Sequence, residues 1–268
     1  MTIISLITDF GVRDEYVGLM KAVILGINPS ATMVDISHAV EPQDIIQAAF
    51  LLESSYRYFP PGSIHLVVVD PGVGTTRALL YLEASGHRFL APDNGVLSLL
   101  VDPPQAAAMR RLENPALRRS SISATFHGRD IMAPAAAHLS NGMDARELGP
   151  EVDPVATTRL RHLRARWSSD GHMTGCVVHI DRFGNLLTNI HASVLPSADL
   201  RPHEHTVSIR LGGQTIMGFR RTYAEEQIGR PVALIGSRGY LEIAINCGSA
   251  RQYFGVGKGD AVDLRIVG

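Results

Sequence analysis

The stretch "IHLVVVDPGVGTTR" (64–77) joins a valine-rich run to a turn and then to an arginine. The run does not alternate with polar residues, which predicts a strand buried on both faces, as in a parallel sheet. The Pro71-Gly72 pair after Asp70 predicts a turn. Arg77 lies seven residues beyond Asp70, so the stretch ends either in a surface ion pair at a turn or in two opposite charges delivered to a site.

The residues before this strand repeat the same pattern. The runs "IISLI" (3–7) and "TMVDI" (32–36) predict two further strands. Helical spacing of apolar residues over 14–27, and a second such segment over 41–59, predict helices between the strands. Strands that alternate with helices indicate a mostly parallel sheet covered by helices, which is an α/β domain.

The pattern then becomes less regular. Residues 78–92 predict a hairpin that turns at Ser85-Gly86, "NGVLSLLV" (94–101) a short helix, and residues 129–139 a helix despite Pro134. After Gly171, seven short strand-like runs are separated by Gly, Asn or Asp, which is typical of a small antiparallel barrel or sandwich.

The predicted architecture therefore has two parts. An α/β domain with a mostly parallel sheet spans 1–165, and an all-β, barrel-like domain spans 172–268. Residues 142–171, rich in charge, Gly and Pro, form a linker region in this interpretation.

Composition excludes several classes of protein. A net charge of −1 provides no basic field for nucleic acid. Two cysteines cannot form a disulfide framework or a four-thiolate zinc site, which favours a reducing, cytoplasmic location. The first residues are typical of a strand rather than of a signal peptide. Because no apolar run reaches the ~18 residues of a membrane span, no membrane partner is expected either.

Two carboxylates stand where predicted strands end. Asp9 follows the first strand and Asp70 the third, and open parallel sheets bind ligands beyond the carboxyl ends of their strands. A carboxylate there can accept hydrogen bonds from both hydroxyls of a ribose. The alternative is an ordinary helix-capping or turn aspartate. No Gly-x-Gly-x-x-Gly fingerprint for a dinucleotide is present.

The sequence "SATFHGRD" (123–130) offers a histidine just before a predicted helix. His127 could exchange protons near neutral pH, and a helix N-terminus can bind oxygen ligands. The alternative is one of eleven histidines in an ordinary loop.

Two segments of the predicted β domain are also candidates. In "HIDRFGNLLTNI" (179–190), Phe183 could stack on a base and Asn185 could bond an adenine edge; the alternative is a hairpin turn. In "IGSRGYLEIAINCGSA" (235–250), serine and arginine could hold a carboxylate; the alternative is a β-bulge at Gly239 with solvated charges. No pattern matches a zinc or calcium site, or a Gly-x-Ser-x-Gly nucleophile.

Taken together, eight ordered blocks of this sequence resemble one family, the S-adenosylmethionine hydroxide adenosyltransferases, which are relatives of the fluorinases and chlorinases. The blocks are "TDFG" with Asp14 five residues after its aspartate, "HAVEPQDIIQAAFLL", "VVVDPGVGTTR", "APDNGVLS", "TFHGRDIMAPAAAHL", "HIDRFGNLLTNI", "RTYAE" and "GSRGYLEIAINCGSA". They cover nearly the whole chain and both predicted domains.

The resemblance implies hydrolysis of S-adenosyl-L-methionine to adenosine and L-methionine. It implies a homotrimer whose active sites lie between subunits, with neither a cofactor nor a metal. In such a family, Asp70, Arg77 and His127 would form the polar trio that handles water. Asp9 would hold the ribose hydroxyls.

The resemblance also implies further substrate contacts. Those around the methionine amino acid group would be Asp14, Asp181, Ser237 and Arg238. Those around adenine would be Phe183, Asn185 and the backbone near Ala244. Phe126 and Glu242 are also expected to contact the substrate.

The halogenating relatives differ at two positions. They have a non-acidic residue where this chain has Asp70, and the fluorinase has a halide-binding serine where this chain has Gly128. Both differences favour water as the nucleophile. The alternatives are an adenosyl halogenase that uses halide and a non-catalytic module that binds adenosine or S-adenosylmethionine.

Overall fold

The computed structural model describes residues 2–101, 106–161, 163–195 and 207–266. The chain divides into two compact units, Met1–Arg161 and His162–Gly268. Within the described part of the chain, no helix is long and apolar enough to cross a membrane.

The first unit is built on a six-stranded sheet of order β2-β1-β3-β5-β4-β6. The strands are β1 (Ile3–Thr8), β2 (Thr32–Ser37), β3 (Ile64–Val68), β4 (Leu79–Ala84), β5 (His87–Pro92) and β6 (Ala106–Arg111). Strands β2, β1, β3 and β5 are parallel, and β4 pairs antiparallel with both β5 and β6. The mostly parallel α/β sheet is thus confirmed. All five residues of β3 are buried, as its valine-rich run predicts.

The helices of this unit are α1 (Tyr16–Ile27), α2 (Ile45–Ser55), α3 (Ser98–Val101) and α4 (Ala133–Ser140). The predicted start of α2 at residue 41 is too early. Asp44 is the cap, and its side chain accepts a hydrogen bond from the Gln47 N–H. Pro42 therefore precedes the helix instead of occupying its first turn.

The helix predicted over 129–139 consists of two segments. A π-helical segment spans Gly128–Met132, and α4 follows it directly. Pro134 falls in the first turn of α4 and has no N–H to donate, and the Asp130 carbonyl four residues before it accepts the Arg119 N–H at 3.0 Å instead. A helical period cannot reveal a π-helical segment of five residues, and such segments are frequent at functional sites.

The hairpin predicted over 78–92 is confirmed. Ser85 and Gly86 join β4 to β5, both with positive φ angles of 51° and 75°. Two consecutive left-handed residues form the tight turn that matches the twist of a two-stranded hairpin. One hydrophobic core cluster of the unit lies between the sheet and helices α1 and α4, and includes Met20, Leu66 and Met132.

The second unit holds a seven-stranded antiparallel sheet of order β10-β9-β13-β7-β8-β12-β11. Its strands are β7 (His172–Ile180), β8 (Leu186–His191), β9 (Val207–Leu211), β10 (Gln214–Met217), β11 (Pro231–Ile235), β12 (Tyr240–Ile245) and β13 (Ala261–Ile266). Strands β10 and β11 at its two ends contact each other, so the sheet is barrel-like as predicted. A short helix, α5 (Ala250–Phe254), follows β12.

The domain limits drawn from the sequence stay predictions. Residues 142–161, placed in the predicted linker, belong to the first compact unit. They hold short 3₁₀ turns at Ala145–Leu148 and Pro154–Ala156. The Arg111 N–H also donates to the Pro150 carbonyl, which ties this segment to β6.

Candidate active site

The candidate site of the first unit begins where two neighbouring strands end. In the parallel pair of β1 and β3, Thr8 lies opposite Val68. Asp9 and Asp70 therefore leave the sheet at the same edge, within two residues of this pair. This is the edge at which open parallel sheets bind their ligands.

Asp70, Arg77 and His127 are in direct contact. The Arg77 Nε donates to Asp70 Oδ1 at 2.6 Å, and Arg77 Nη2 forms a second hydrogen bond to Asp70 Oδ2. Arg77 Nη2 also lies 3.2 Å from His127 Nδ1. The Asp70 and Arg77 side chains are only 6% and 10% exposed, so the interpretation as a surface ion pair is wrong. The two charges are a buried, two-pronged pair that touches a histidine.

The chain from Asp70 to Arg77 is held by its own turn. The Val73 N–H donates to the Asp70 carbonyl, and the Thr75 hydroxyl donates to the Gly72 carbonyl at 2.7 Å. From outside the turn, the Asn94 side-chain amide donates to the carbonyl of Val69 at 2.8 Å. These bonds fix the strand end immediately before Asp70.

His127 caps the π-helical segment Gly128–Met132. Burial and the positive charge of Arg77 both lower the pKa of His127 below its usual value of 6.5. This shift favours the neutral form of the ring. Because arginine has donors but no acceptor, His127 Nδ1 must accept from Arg77. The proton of the neutral ring then sits on Nε2.

Asp130 organises the loop that carries His127. Its fully buried carboxylate accepts two hydrogen bonds from Arg129, at 2.7 and 2.8 Å, and one from the Ser123 N–H at 2.8 Å. Burial raises the pKa of Asp130, but the hydrogen bonds from Arg129 and Ser123 outweigh it and the net shift is downward. The charged Asp130 carboxylate therefore connects Ser123, in the loop before His127, to Arg129 in the helical segment after it.

The other candidates of this unit lie at separate points. Asp9 is half-buried, and its Oδ2 accepts the Gln43 N–H at 2.8 Å instead of capping α1. Asp14 is exposed in the loop before α1. Phe126 is 8% exposed and packs edge-on against Phe10.

In the second unit, Asp181, Phe183 and Asn185 share the turn between β7 and β8. The hairpin turn considered as an alternative is therefore present, and it presents these side chains. Asp181 Oδ1 accepts the N–H groups of Phe183 and Asn185, both at 2.9 Å, and Oδ2 accepts the Asn185 amide at 3.0 Å. Phe183 is 76% exposed beside a cleft of about 370 Å³ that Gly184 and Arg251 also line.

The remaining candidates lie on or before β12. Ser237 and Arg238 occupy the turn that joins β11 to β12, and Glu242 and Ala244 follow on the strand. The bulge considered as an alternative at Gly239 lies slightly later in the chain, since the pairing of β12 with β8 shifts register between Tyr240 and Glu242. Gly239 closes this turn with a φ of 77° and donates its N–H to the Gly236 carbonyl, so it reverses the chain.

Tyr223, in the block "RTYAE", also contacts a candidate residue, although no local pattern singles it out. Its hydroxyl donates to Glu242 Oε1. Burial raises the pKa of Tyr223, and the charges of Glu242 and Asp181 raise it further. Tyr223 is therefore bonded to Glu242 on β12, and the charge of Asp181, in the turn between β7 and β8, also acts on its pKa.

Asn94 and Asp130 also hold the site in place, and no local pattern singles them out. Their signal in the sequence is that they lie in the blocks "APDNGVLS" and "TFHGRD". In the described ranges 2–101, 106–161, 163–195 and 207–266, no group of three or more His, Cys, Asp or Glu side chains could hold a metal ion.

Comparison with known proteins bears on both units. The family model of the SAM hydroxide adenosyltransferase N-terminal domain matches residues 4–149, and that of the C-terminal domain matches residues 175–263. Among curated proteins, the chain is 40% identical to the (R)-S-adenosyl-L-methionine hydrolase of Thermus thermophilus, with 96% of this chain and 97% of the relative covered.

More distant relatives include a fluorinase of an Actinoplanes species, 29% identical with 91% of each chain covered. Among solved structures, a conserved protein from Thermotoga maritima superposes with a TM-score of 0.90 at 35% identity. That match covers 98% of this chain and 99% of the other. With both domain models matched in order and a curated relative at 40% identity over almost all of its length, the chain belongs to the SAM hydroxide adenosyltransferase family.

Proposed function

We propose that this protein is an enzyme that hydrolyses S-adenosyl-L-methionine to adenosine and L-methionine. The observation that carries the proposal is the buried contact of Asp70, Arg77 and His127 in the first unit. The curated hydrolase of Thermus thermophilus, at 40% identity, supports the same substrate. In the reaction, the oxygen of water bonds to C5′ of the ribose, the C5′–sulfur bond breaks, and one proton is released.

The substrate makes an acid unnecessary. Its sulfonium leaves as neutral methionine, so the enzyme has only to hold a water oxygen in line with C5′, opposite sulfur. Fixing the reacting atoms in this way can supply several kcal/mol, within the ~7–11 kcal/mol that proximity effects reach. Attack of an oxygen with hydroxide character on a cation neutralises charge, which a dry pocket favours.

The hydrogen bonds support a role for each member of the trio. His127 Nδ1 accepts from Arg77, so its Nε2–H is left to donate to the water oxygen. Each Asp70 oxygen accepts from Arg77 and keeps a second lone pair, which can take the water proton. Arg77 stabilises the hydroxide character that develops. We therefore assign proton acceptance to Asp70 and orientation of the water to His127.

The substrate contacts are assigned by the resemblance. Asp9 takes the ribose hydroxyls, and its position beside Asp70 at one sheet edge supports this role. Four residues surround the methionine amino acid group, namely Asp14, Asp181, Ser237 and Arg238. Adenine is placed against Phe183, Asn185 and the backbone at Ala244. Phe126 and Glu242 complete the set of proposed substrate contacts.

The proposal extends to assembly and location. The protein forms a homotrimer with active sites between subunits, as the resemblance implies, and works without a metal or a cofactor. Its content of two cysteines supports a reducing, cytoplasmic compartment. Light scattering on the purified protein tests the first statement, since a monomer at working concentration contradicts it.

The decisive experiment is incubation of the purified protein with S-adenosyl-L-methionine, followed by chromatography of the nucleosides. Adenosine and methionine in equal amounts support hydrolysis. Formation of a 5′-halo nucleoside on addition of chloride or fluoride supports the halogenase instead. Tight binding of adenosine in a calorimeter, without turnover above the uncatalysed rate, supports the binding module.

A further inference from the structure

A second polar network lies beside the candidate site and has no part in the proposed reaction. The Thr8 hydroxyl is 2.8 Å from His38 Nδ1, and His38 Nε2 is 3.1 Å from Asp35 Oδ1. Asp35 Oδ2 in turn accepts from Lys21 Nζ at 2.6 Å. Thr8 is fully buried and His38 is 6% exposed, whereas Asp35 and Lys21 reach the surface. The network runs from solvent to the end of β1.

The protons of this network are fixed by its neighbours. The Thr8 hydroxyl oxygen accepts the Phe10 N–H at 3.3 Å, and its O–H can donate to His38 Nδ1. The Asp35 carboxylate favours the His38 tautomer that carries its proton on Nε2, which leaves Nδ1 to accept that O–H. The opposite tautomer would turn an imidazole lone pair towards a carboxylate oxygen 3.1 Å away. Because His38 Nε2 and Asp35 are not aligned as a hydrogen bond, their contact is electrostatic.

His38 is hydrogen-bonded to the "TDFG" loop (8–11) at two points. Its side chain holds Thr8 at the start of the loop, and its main-chain carbonyl accepts the Gly11 N–H at 2.8 Å. Asp9 lies between these two points. The Asp9 carboxylate also accepts the Gln43 N–H, which lies five residues beyond His38 in the same connection between β2 and α2.

We propose that His38 is a positioning residue that fixes the carboxylate of Asp9 for the ribose hydroxyls, through Thr8 and the loop between them. The inference rests on the proposed function, because it takes Asp9 as the ribose ligand. His38 itself touches no substrate. Its buried side chain and its bond to Thr8 determine where the loop, and with it Asp9, is held.

A matched pair of variants tests the role. An asparagine at this position can place its Oδ1 close to where Nδ1 lies, so His38→Asn keeps an acceptor for Thr8. A glutamine reaches towards Asp35 and leaves Thr8 without its acceptor, so His38→Gln loses the side-chain hydrogen bond that holds the start of the loop. We expect His38→Gln to weaken adenosine binding and raise KM by about 10-fold, with a much smaller change in kcat. His38→Asn is expected within about threefold of wild type.

A double-mutant cycle on adenosine affinity decides whether His38 acts through Asp9. Once Asp9→Ala has removed the carboxylate, adding His38→Gln should cause no further loss of affinity. Full additivity of the two losses overturns the proposal, as does wild-type affinity in folded His38→Gln. Thermal denaturation of each variant establishes that it is folded.

Calorimetry with adenosine separates this proposal from the proposed function, because it needs no turnover. If the wild-type protein neither binds adenosine nor hydrolyses S-adenosyl-L-methionine, both proposals fall. If the wild type does both and the His38 variants leave affinity unchanged, only the role of His38 is overturned.

Discussion

Gly74 and Ala124 approach each other so closely that a side chain at residue 74 has no room. A Cβ atom on Gly74 would lie 2.4 Å from the Ala124 carbonyl oxygen, and the φ of Gly74 is +79°. Gly74 lies in the turn between Asp70 and Arg77, and Ala124 lies three residues before His127. The turn between Asp70 and Arg77 is therefore packed directly against the loop that precedes His127.

Gly74→Ala should separate these two loops. We expect a loss of turnover of about 10-fold or more, because small displacements of catalytic groups are costly, together with a loss of folding stability from the positive φ. The measurement is adenosine formation by the folded variant. Gly72→Ala is the matched control, since its Cβ would meet Arg77 at an ordinary 3.5 Å and its φ is not in the left-handed region. Equal activities of the two variants would contradict the role of the close approach.

Asp70→Ala and Arg77→Ala should each lower turnover by about 10²-fold or more with the fold retained, by analogy with the loss of other charged groups that stabilise a transition state. The two are bonded through both Asp70 oxygens, so their effects should not add in the double variant. Single-turnover kinetics with circular dichroism as a check of folding provide the measurement. Near-wild-type rates in both single variants would refute the proposed mechanism.

The pH dependence of turnover should reflect the environment of His127. Burial and Arg77 lower the pKa of His127, so its neutral form persists to more acidic pH than that of a free histidine, whose pKa is 6.5. A proton on His127 Nδ1 would break the hydrogen bond from Arg77, and turnover should then be lost. The acid limb of a plot of kcat against pH should therefore have its midpoint below 6.5. A midpoint above 6.5 that disappears in His127→Asn would contradict this assignment.

Gly128→Ser should destabilise the fold. A Cβ on Gly128 would lie 2.8 Å from Val68 Cγ1 on β3, and overpacking of this kind costs about 1–3 kcal/mol. Adding Val68→Ala should recover part of that loss, which thermal denaturation measures. Gly18→Ser on α1 is the control, because a Cβ at Gly18 has nothing within 4 Å. If Gly128→Ser is as stable as Gly18→Ser, the steric account is wrong.

The buried pair of His65 and His87 should make the first unit sensitive to acid. His65 Nδ1 is 2.7 Å from the Ser5 hydroxyl and its Nε2 is 3.2 Å from His87 Nδ1, with both rings buried. Burial, followed by the charge of His87, lowers the pKa of His65 from 6.5 to about 3. Between pH 6.5 and about pH 3, His65 is protonated in the unfolded chain but not in the folded chain. The free energy of unfolding therefore falls as the pH drops.

On this basis, the free energy of unfolding should fall by about 2 kcal/mol between pH 7 and pH 5 through His65 alone. Urea unfolding at the two pH values measures the change. His65→Gln should be less stable at pH 7 but should lose less on acidification, whereas His138→Gln, at a partly exposed histidine on α4, should keep the wild-type slope. The same slope in His65→Gln as in the wild type would refute the assignment.

The strands other than β6 (Ala106–Arg111), and most of the helices, could be predicted from the sequence because buried strands and amphipathic helices differ in local period. Asp44 shows the limit for helix ends: a capping side chain, not the apolar period, sets where α2 begins. The spacing of apolar residues likewise does not predict the π-helical turn after His127 or the short helix α5. The candidate residues followed from strand ends and from ordered blocks, which are also local properties.

The sequence by itself determined the class of the two domains, the identity of the candidate residues and the resemblance that joins them. Only the tertiary structure decided that Asp70 and Arg77 are buried rather than at the surface, that His127 Nδ1 accepts from Arg77, and that His38 holds the loop of Asp9. The physical reason is that burial and hydrogen-bond direction depend on partners 30 to 50 residues away in the chain, which no local pattern specifies.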